Sequence, residues 1–151
     1  MASPAEMSSI RSVASIVIPV ADQDLALTFY RDTLGLELRA DFAPGAGFRW
    51  IEVAPPGSVT TMALALPRGG MWRTVGGDTN LSLACDDVTA LHGRLRECGI
   101  DVDEHITEIP GGVPPMFRFR DPFGNILQVV QRDRRATARP TTGSAQPRSP
   151  S

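Results

Sequence analysis

The sequence predicts an α+β fold in which two βαβββ modules form a cleft of curved, mixed sheets. First, the apolar residues follow the spacing of a strand, then of a helix, then of three strands, and this order occurs twice in the 151 residues. Second, Asp22 and Asp87, residues of a type that caps helices, lie 65 positions apart. Third, Gly35 and Gly99, which end the two helical patterns, lie 64 positions apart. These spacings indicate a repeat. Because the sequence identity between the halves is slight, it is a structural repeat and not a recent duplication.

The first module is predicted over about residues 13–67. An apolar, β-branched run at residues 13–20 predicts its first strand. Apolar residues then recur at helical spacing, at Leu25, Ala26, Phe29 and Tyr30. Three strands follow, at residues 36–42, 48–53 and 60–66, separated by the turn sequences PGAG and PPGS.

The second module is predicted over about residues 80–132, after a linker at 68–79. It contains a strand at 80–85 and a helix whose apolar face carries Val88, Leu91, Leu95 and Cys98. Three strands are expected at 100–109, 116–120 and 125–131, the last two joined by the tight turn DPFGN. In the alternating strand at 116–120, Phe117 and Phe119 are expected beneath the helix, which places Met116 and Arg118 on the other face. Two sheets that each cover a helix with one face can enclose a cleft with their free faces.

The two ends of the chain are expected to lie outside this folded domain of residues 13–132. Residues 1–12 are small and polar and form a flexible lead. Residues 133–151 contain Pro, Ser, Thr, Arg and Gly without a large apolar side chain. Such a segment cannot bury enough apolar surface to offset the entropy of ordering it, so the tail is expected to be disordered.

Composition excludes several classes of partner. The net charge of −2 offers no basic excess to neutralise phosphates, so no nucleic-acid partner is expected. No apolar run reaches membrane-spanning length, and the N-terminus lacks the apolar region of a signal peptide. The two cysteines make no disulfide framework, which is typical of a reducing compartment. We therefore expect a cytoplasmic protein without a membrane partner.

Several segments resemble one family. They are IVIPVADQDLALTFYRDTLGLEL in the first half, and LSLACDDVTALHGRLRECGI and FRFRDPFGNILQVVQ in the second. With their FY…LGL and DPxGN elements in this order, they resemble the vicinal oxygen chelate superfamily, also called the glyoxalase/bleomycin resistance/dioxygenase superfamily. The resemblance covers about residues 13–132, and FRWIEVAPPGS is similar to a common bacterial subgroup.

The resemblance implies four metal-ligand positions, and this sequence departs from the metal-dependent pattern at each. They fall on Ser15, Ala63 or Ala65, Asn80 and Gln128, with Ala63 favoured by the spacing. None of these offers the imidazole, thiolate or carboxylate that zinc, iron or manganese requires. We therefore expect no metal and no other cofactor. His92 is expected on the surface and His105 at a solvated edge, although His105 could also act as a general base.

Six residues are expected to contact a small-molecule ligand: Ser15, Trp50, Asn80, Met116, Arg118 and Gln128. Polar side chains in an apolar cleft orient a ligand, a tryptophan can stack on a flat one, and an arginine favours a carboxylate, phosphate or aromatic plane. Plainer interpretations remain open: solvated strand ends, core packing for Trp50 and a solvated dimer edge for Arg118. Trp72 could form a lid or a dimer contact, or be simply exposed.

Three functions remain open at this point, and no catalytic residue can be named. The first is a metal-free protein that binds an aromatic or polycyclic compound without turnover, as drug-binding antibiotic-resistance members of the family do. The second is a metal-independent isomerase, cyclase or lyase of specialised metabolism, in which the same polar groups polarise a carbonyl. The third is a metal-dependent glyoxalase- or dioxygenase-like enzyme with displaced ligands such as Glu52 or His105. The resemblance also implies a homodimer, which would cover exposed sheet edges.

Overall fold

The computed structural model of the chain describes residues 9–72 and 74–132. Most of the expected lead, at residues 1–8, and the whole of the expected tail, at 133–151, lie outside the described residues. The described part contains two small mixed sheets, of four and three strands. The predicted α+β fold with two modules is therefore confirmed.

The first module has a four-stranded sheet. In chain order its elements are β1 (Ser15–Pro19), α1 (Gln23–Leu27), a π-helical continuation (Thr28–Thr33), β2 (Glu37–Gly45), β3 (Phe48–Ala54) and β4 (Thr61–Ala65). The strand order is β1-β4-β3-β2, and β1 runs parallel to β4. Asp22 caps α1 as predicted, because its Oδ1 accepts a 2.9 Å hydrogen bond from the Leu25 N–H.

The second module has a three-stranded sheet. Its elements are β5 (Gly77–Cys85), α2 (Val88–Glu97), β6 (Met116–Arg120) and β7 (Asn125–Gln131). The strand order is β5-β7-β6, with β5 parallel to β7. Asp87 caps α2 through a 2.9 Å hydrogen bond from the Ala90 N–H. Within the described ranges, no helix combines the length and the apolar character needed to cross a bilayer.

The prediction of a strand at residues 100–109 is wrong. This segment makes only isolated bridges, from Val102 to Phe119 and from Thr107 to Met116. It contains Asp101, Asp103, Glu104 and His105, and so many polar groups leave no continuous apolar face to hold a strand against the core. The second sheet therefore has one strand fewer than the first.

The two modules share one apolar core, built from the helix-bearing faces of both sheets. Phe117 and Phe119 of β6 are buried there, as predicted. The Phe117 ring meets the His92 ring of α2 edge-on at 5.0 Å, and the Phe119 ring lies 6.4 Å from Phe29 of the first module. The surface position expected for His92 is wrong, because its ring is buried with Nε2 2.7 Å from the carbonyl oxygen of Asp103.

Each sheet has a second face that carries no helix, which we call its open face. On the first module it carries the side chains of Ser15, Val17, Ala40, Phe42, Trp50, Glu52, Thr61 and Ala63. On the second it carries those of Asp78, Ser82, Met116, Arg118, Ile126, Gln128 and Val130. Because the modules pack through their helix-bearing faces, both open faces point away from the shared core.

Candidate functional site

An aromatic group occupies the open face of the first module, and we define it as Phe42, Phe48, Trp50 and Trp72. The Trp50 ring centroid lies 6.1 Å from that of Phe48 and 6.0 Å from that of Trp72. Phe42 is the cross-strand partner of Trp50 and is 53% exposed. Trp50 itself is half-buried and does not belong to the apolar core. This position presents the indole ring at an accessible surface, as a stacking residue requires.

Glu52 lies beside Trp50 on the same face, and two neutral donors hold its carboxylate. The indole N–H of Trp50 donates to Glu52 Oε1 at 2.7 Å. The hydroxyl of Thr61 on β4 donates to Glu52 Oε2 at 3.0 Å. Sequence reasoning had considered Glu52 only as a displaced metal ligand. The two-residue spacing from Trp50 within one strand is the signal that could have found this pair, because alternate residues share a face.

Ser15 and Ala63, two of the implied metal-ligand positions, are not direct partners in the first sheet. Ser15 pairs with Thr61, and Val17 pairs with Ala63. Ala63 is fully buried, whereas Ser15 is half-buried at the beginning of its strand. The structure therefore places an apolar pair at the centre of this face and leaves Ser15 at its end.

Ser82, which sequence reasoning missed, is the residue beside Gln128 on the second open face. The two residues pair across β5 and β7, and Gln128 Nε2 donates to Ser82 Oγ at 3.0 Å. Asn80, the residue of this strand that was expected to contact a ligand, does not pair with Gln128. Asn80 is exposed, has a φ of +55° and lies in a register irregularity between Asp78 and Ser82.

Met116 and Arg118 lie on the second open face, as the alternation of their strand predicted. Arg118 is opposite Gln128 and is exposed, while Met116 is half-buried. One guanidinium nitrogen of Arg118 lies 3.4 Å from a carboxylate oxygen of Asp78. Since a guanidinium has five N–H donors, this single ion pair leaves several of them free for another group.

A groove runs along the junction between the modules, next to both open faces. It has a volume of about 430 Å³ and is lined by residues 55–58, 60–62 and 81–84. Its lining includes Thr61, which bonds to Glu52, and Ser82, which bonds to Gln128. The groove thus reaches one polar residue of each open face.

The donor set at the implied metal positions does not fit a transition metal. Ser15, Ala63 and Gln128 offer a hydroxyl, a methyl and an amide, and neither Asn80 nor Ser82 adds an imidazole, thiolate or carboxylate. Across residues 9–72 and 74–132, no three His, Cys, Asp or Glu side chains gather closely enough to hold a metal ion. His105 is exposed, and its Nε2 lies 3.8 Å from Oε1 of Glu104.

Comparisons with known proteins identify a family. The model of the Glyoxalase/Bleomycin resistance protein/Dioxygenase superfamily matches residues 12–129. A crystal structure of a superfamily member from Sphaerobacter thermophilus DSM 20745 is 35% identical with a TM-score of 0.75, and the match covers 82% of this chain and 98% of that one. TnmS3, an antibiotic binding protein from Streptomyces sp. CB03234, is 35% identical with a TM-score of 0.68, covering 83% and 99%. The uncharacterized protein YetH of Bacillus subtilis (strain 168) is 23% identical, covering 81% and 99%.

Proposed function

The chain belongs to the glyoxalase/bleomycin resistance protein/dioxygenase superfamily, and on that premise we propose that it binds a small, flat aromatic compound without a metal and without chemical turnover. The observation that carries the proposal is the position of Trp50, whose ring lies half-exposed on the open face of the first module among three other aromatic rings. The similarity of the chain to TnmS3, an antibiotic binding protein, is consistent with this function.

The aromatic group suits a flat ligand because its rings lie outside the core. The chain has nine aromatic residues in Phe, Trp and Tyr, and both tryptophans belong to this group. Phe29, Tyr30, Phe117 and Phe119 are buried in the core, where they stabilise the fold. An indole ring beside solvent offers a large apolar area with few rotatable bonds, so stacking a ligand on it loses little conformational entropy.

The chemistry of the two open faces supports binding without turnover. On the first face, Glu52 is held by neutral donors, and on the second, Ser82 and Gln128 bond to each other. Such groups orient a ligand through hydrogen bonds. Because the implied metal positions supply neutral groups, the proposal includes no Lewis acid that would activate a bound carbonyl.

We also propose that the protein is a cytoplasmic homodimer. The two open faces point away from the shared core, so a single chain does not close one over the other. A second copy could cover the free edges of the strands and leave the open faces accessible to a ligand. Light scattering at working concentration should give twice the chain mass of 16.2 kDa. A mass equal to that of one chain would contradict the dimer.

The proposed function is tested by calorimetric titration with 9-(hydroxymethyl)anthracene, a neutral, flat, tricyclic probe. We expect saturable binding with one site per chain, and at least tenfold weaker binding by the Trp50→Leu variant, about the effect of losing one stacking contact. Phe123→Leu is the matched control, because it removes a ring from the turn between β6 and β7 and should leave affinity unchanged. Absence of binding by the wild type, or equal binding by Trp50→Leu, would contradict the proposal.

Two further measurements separate binding from catalysis. Mass spectrometry of the probe after incubation should recover it unchanged, whereas a new product would favour a metal-independent enzyme. Elemental analysis of protein purified without a tag or chelator should find no stoichiometric transition metal. One metal ion per chain, removable with loss of activity, would favour a metal-dependent enzyme instead.

A further inference from the structure

We propose that Glu52 is a specificity-determining residue that binds a cationic amino group on the aromatic ligand. The inference rests on the proposed function, since it needs a ring stacked on Trp50. It adds a chemical class to the ligand: a flat aromatic compound that carries a protonated amine on a short linker.

The carboxylate of Glu52 lies beside the nitrogen of the Trp50 indole ring. The 2.7 Å hydrogen bond joins Glu52 Oε1 to Trp50 Nε1, so the carboxylate lies at the nitrogen edge of the indole. A ligand ring stacked on the face of Trp50 would hold a substituent one carbon away over that edge. The amine of such a substituent would then reach a carboxylate oxygen of Glu52.

Among the residues that the structure describes, the carboxylate of Glu52 has unused capacity to accept hydrogen bonds. An ionised carboxylate can accept about four hydrogen bonds. Glu52 accepts one at each oxygen, from Trp50 and from Thr61, which leaves a lone pair on each oxygen. These donors are neutral, so they orient the carboxylate without cancelling its charge.

Other carboxylates of the chain are more fully engaged. The buried Asp121 is also held by neutral donors, but four of them fill its acceptor positions: the Tyr30 hydroxyl, the Asn125 side-chain amide and two backbone N–H groups.

Asp41 binds the guanidinium of Arg49, and Asp103 binds that of Arg120. Glu52 makes no salt bridge with any residue that the structure describes. A charge that is half removed from water is stabilised by a cationic partner, and a ligand amine would supply one.

The neighbours of Glu52 across the sheet leave its carboxylate accessible. Glu52 pairs with Ala40 on β2 and with Ala63 on β4. Both side chains are single methyl groups, so neither extends above the sheet far enough to cover the carboxylate. The walls beside it are the larger rings of Trp50 and Phe42, which would contact the aromatic part of the same ligand.

The test compares three probes with the same ring system and different charges. They are 9-(aminomethyl)anthracene, which is a cation at neutral pH, 9-(hydroxymethyl)anthracene, which is neutral, and anthracene-9-carboxylate, an anion. Titrations with wild-type protein should give about tenfold tighter binding of the amine than of the alcohol, as a charge-assisted hydrogen bond predicts, and the weakest binding of the carboxylate.

Two variants separate the local effect of Glu52 from the net charge of the protein. In Glu52→Gln the preference for the amine should disappear while the alcohol binds as before, which also shows that the variant is folded. Glu104→Gln makes the same change in charge at an exposed position of the second module and should keep the preference.

Each possible result supports or contradicts the proposal. An amine preference lost only in Glu52→Gln supports it. Equal binding of amine and alcohol by the wild type, or a preference that persists in Glu52→Gln, overturns the role of Glu52 while leaving the proposed function intact. If none of the three probes binds, the proposed function fails, and this inference fails with it.

Discussion

The hydroxyl of Tyr30 donates a 2.8 Å hydrogen bond to Oδ2 of Asp121, 91 residues further along the chain. Tyr30 belongs to the helical segment of the first module, and Asp121 begins the turn between β6 and β7 of the second. Both residues are buried. The bond therefore ties the two modules together through the shared core, and it joins the FY element to the DPxGN element.

Removing the hydroxyl should destabilise the protein moderately. In Tyr30→Phe the carboxylate of Asp121 keeps its bonds from the backbone N–H groups of Phe123 and Asn125, but it loses a charge-assisted bond in a buried place. We expect a loss of about 1–3 kcal/mol in the free energy of unfolding, measured by urea denaturation. A variant as stable as the wild type would show that this bond makes no net contribution.

The free energy of unfolding should fall at alkaline pH because of Tyr30. Burial, together with the charge and hydrogen bond of Asp121, raises the pKa of Tyr30 above its ordinary value of 10.0. Above pH 10, Tyr30 loses its proton in the unfolded chain but keeps it in the folded chain. The stabilisation by Tyr30 that is fully present below pH 10 is therefore lost as the pH rises further. The expected slope is up to about 1.4 kcal/mol per pH unit.

The alkaline effect can be isolated because Tyr30 is the chain's single tyrosine. Free energies of unfolding measured between about pH 8 and pH 11 should fall more steeply in the wild type than in Tyr30→Phe. The tyrosinate absorbance should also appear together with unfolding rather than before it. Parallel pH profiles for the two proteins would contradict the linkage.

Asn125 should be more important for stability than any other amide of β7. Its Oδ1 accepts from the N–H of Gly76, and its Nδ2 donates to the carbonyl of Pro19 and to Asp121. Asn125→Ala leaves these buried groups unpaired, and we expect a loss of about 3 kcal/mol or more. Gln128→Ala, in the same strand but on the open face, should change stability by less than about 1 kcal/mol. Equal losses in the two variants would be inconsistent with the network.

The left-handed backbone of Asn80 predicts an unusual pattern of substitutions. Asparagine and glycine tolerate a φ of +55°, whereas a β-branched side chain collides with its own backbone there. Asn80→Val should therefore lose about 1–2 kcal/mol, while Asn80→Gly should be nearly neutral. Thermal unfolding of the two variants checks this, and a harmless valine would mean that Asn80 lies in a regular strand.

The ion pair between Arg118 and Asp78 should contribute little to stability. Both side chains are about half exposed, and their charged atoms are 3.4 Å apart. A double-mutant cycle with Arg118→Ala and Asp78→Ala should give a coupling energy below about 0.5 kcal/mol. A coupling of several times that size would show that Arg118 is fixed in place by the fold.

Local sequence signals predicted much of the fold. The capping aspartates, Asp22 and Asp87, mark both helix starts, because an N-cap bond depends on residues three positions apart. The alternation of β6 likewise predicted which side Phe117 and Phe119 would take. These features depend on short-range geometry, which periodicity in the sequence records.

Features that depend on pairing between distant segments could not be predicted in this way. The irregularity at Asn80 shifts the partner of Gln128 to Ser82, and a repeat spacing cannot reveal a local change in register. The bond from Thr61 to Glu52 depends on how two strands align. The motif containing Tyr30 was recognised, but its contact with Asp121 follows only from the packing of one module on the other.

A crystal structure of the protein with 9-(hydroxymethyl)anthracene would show directly whether an aromatic ligand binds on Trp50. We expect the anthracene ring to be stacked on the indole of Trp50, on the open face of the first module, with its chemical structure unchanged. A probe bound elsewhere, for example in the shared core or on the surface of α2, would contradict the assignment of this face as the binding site.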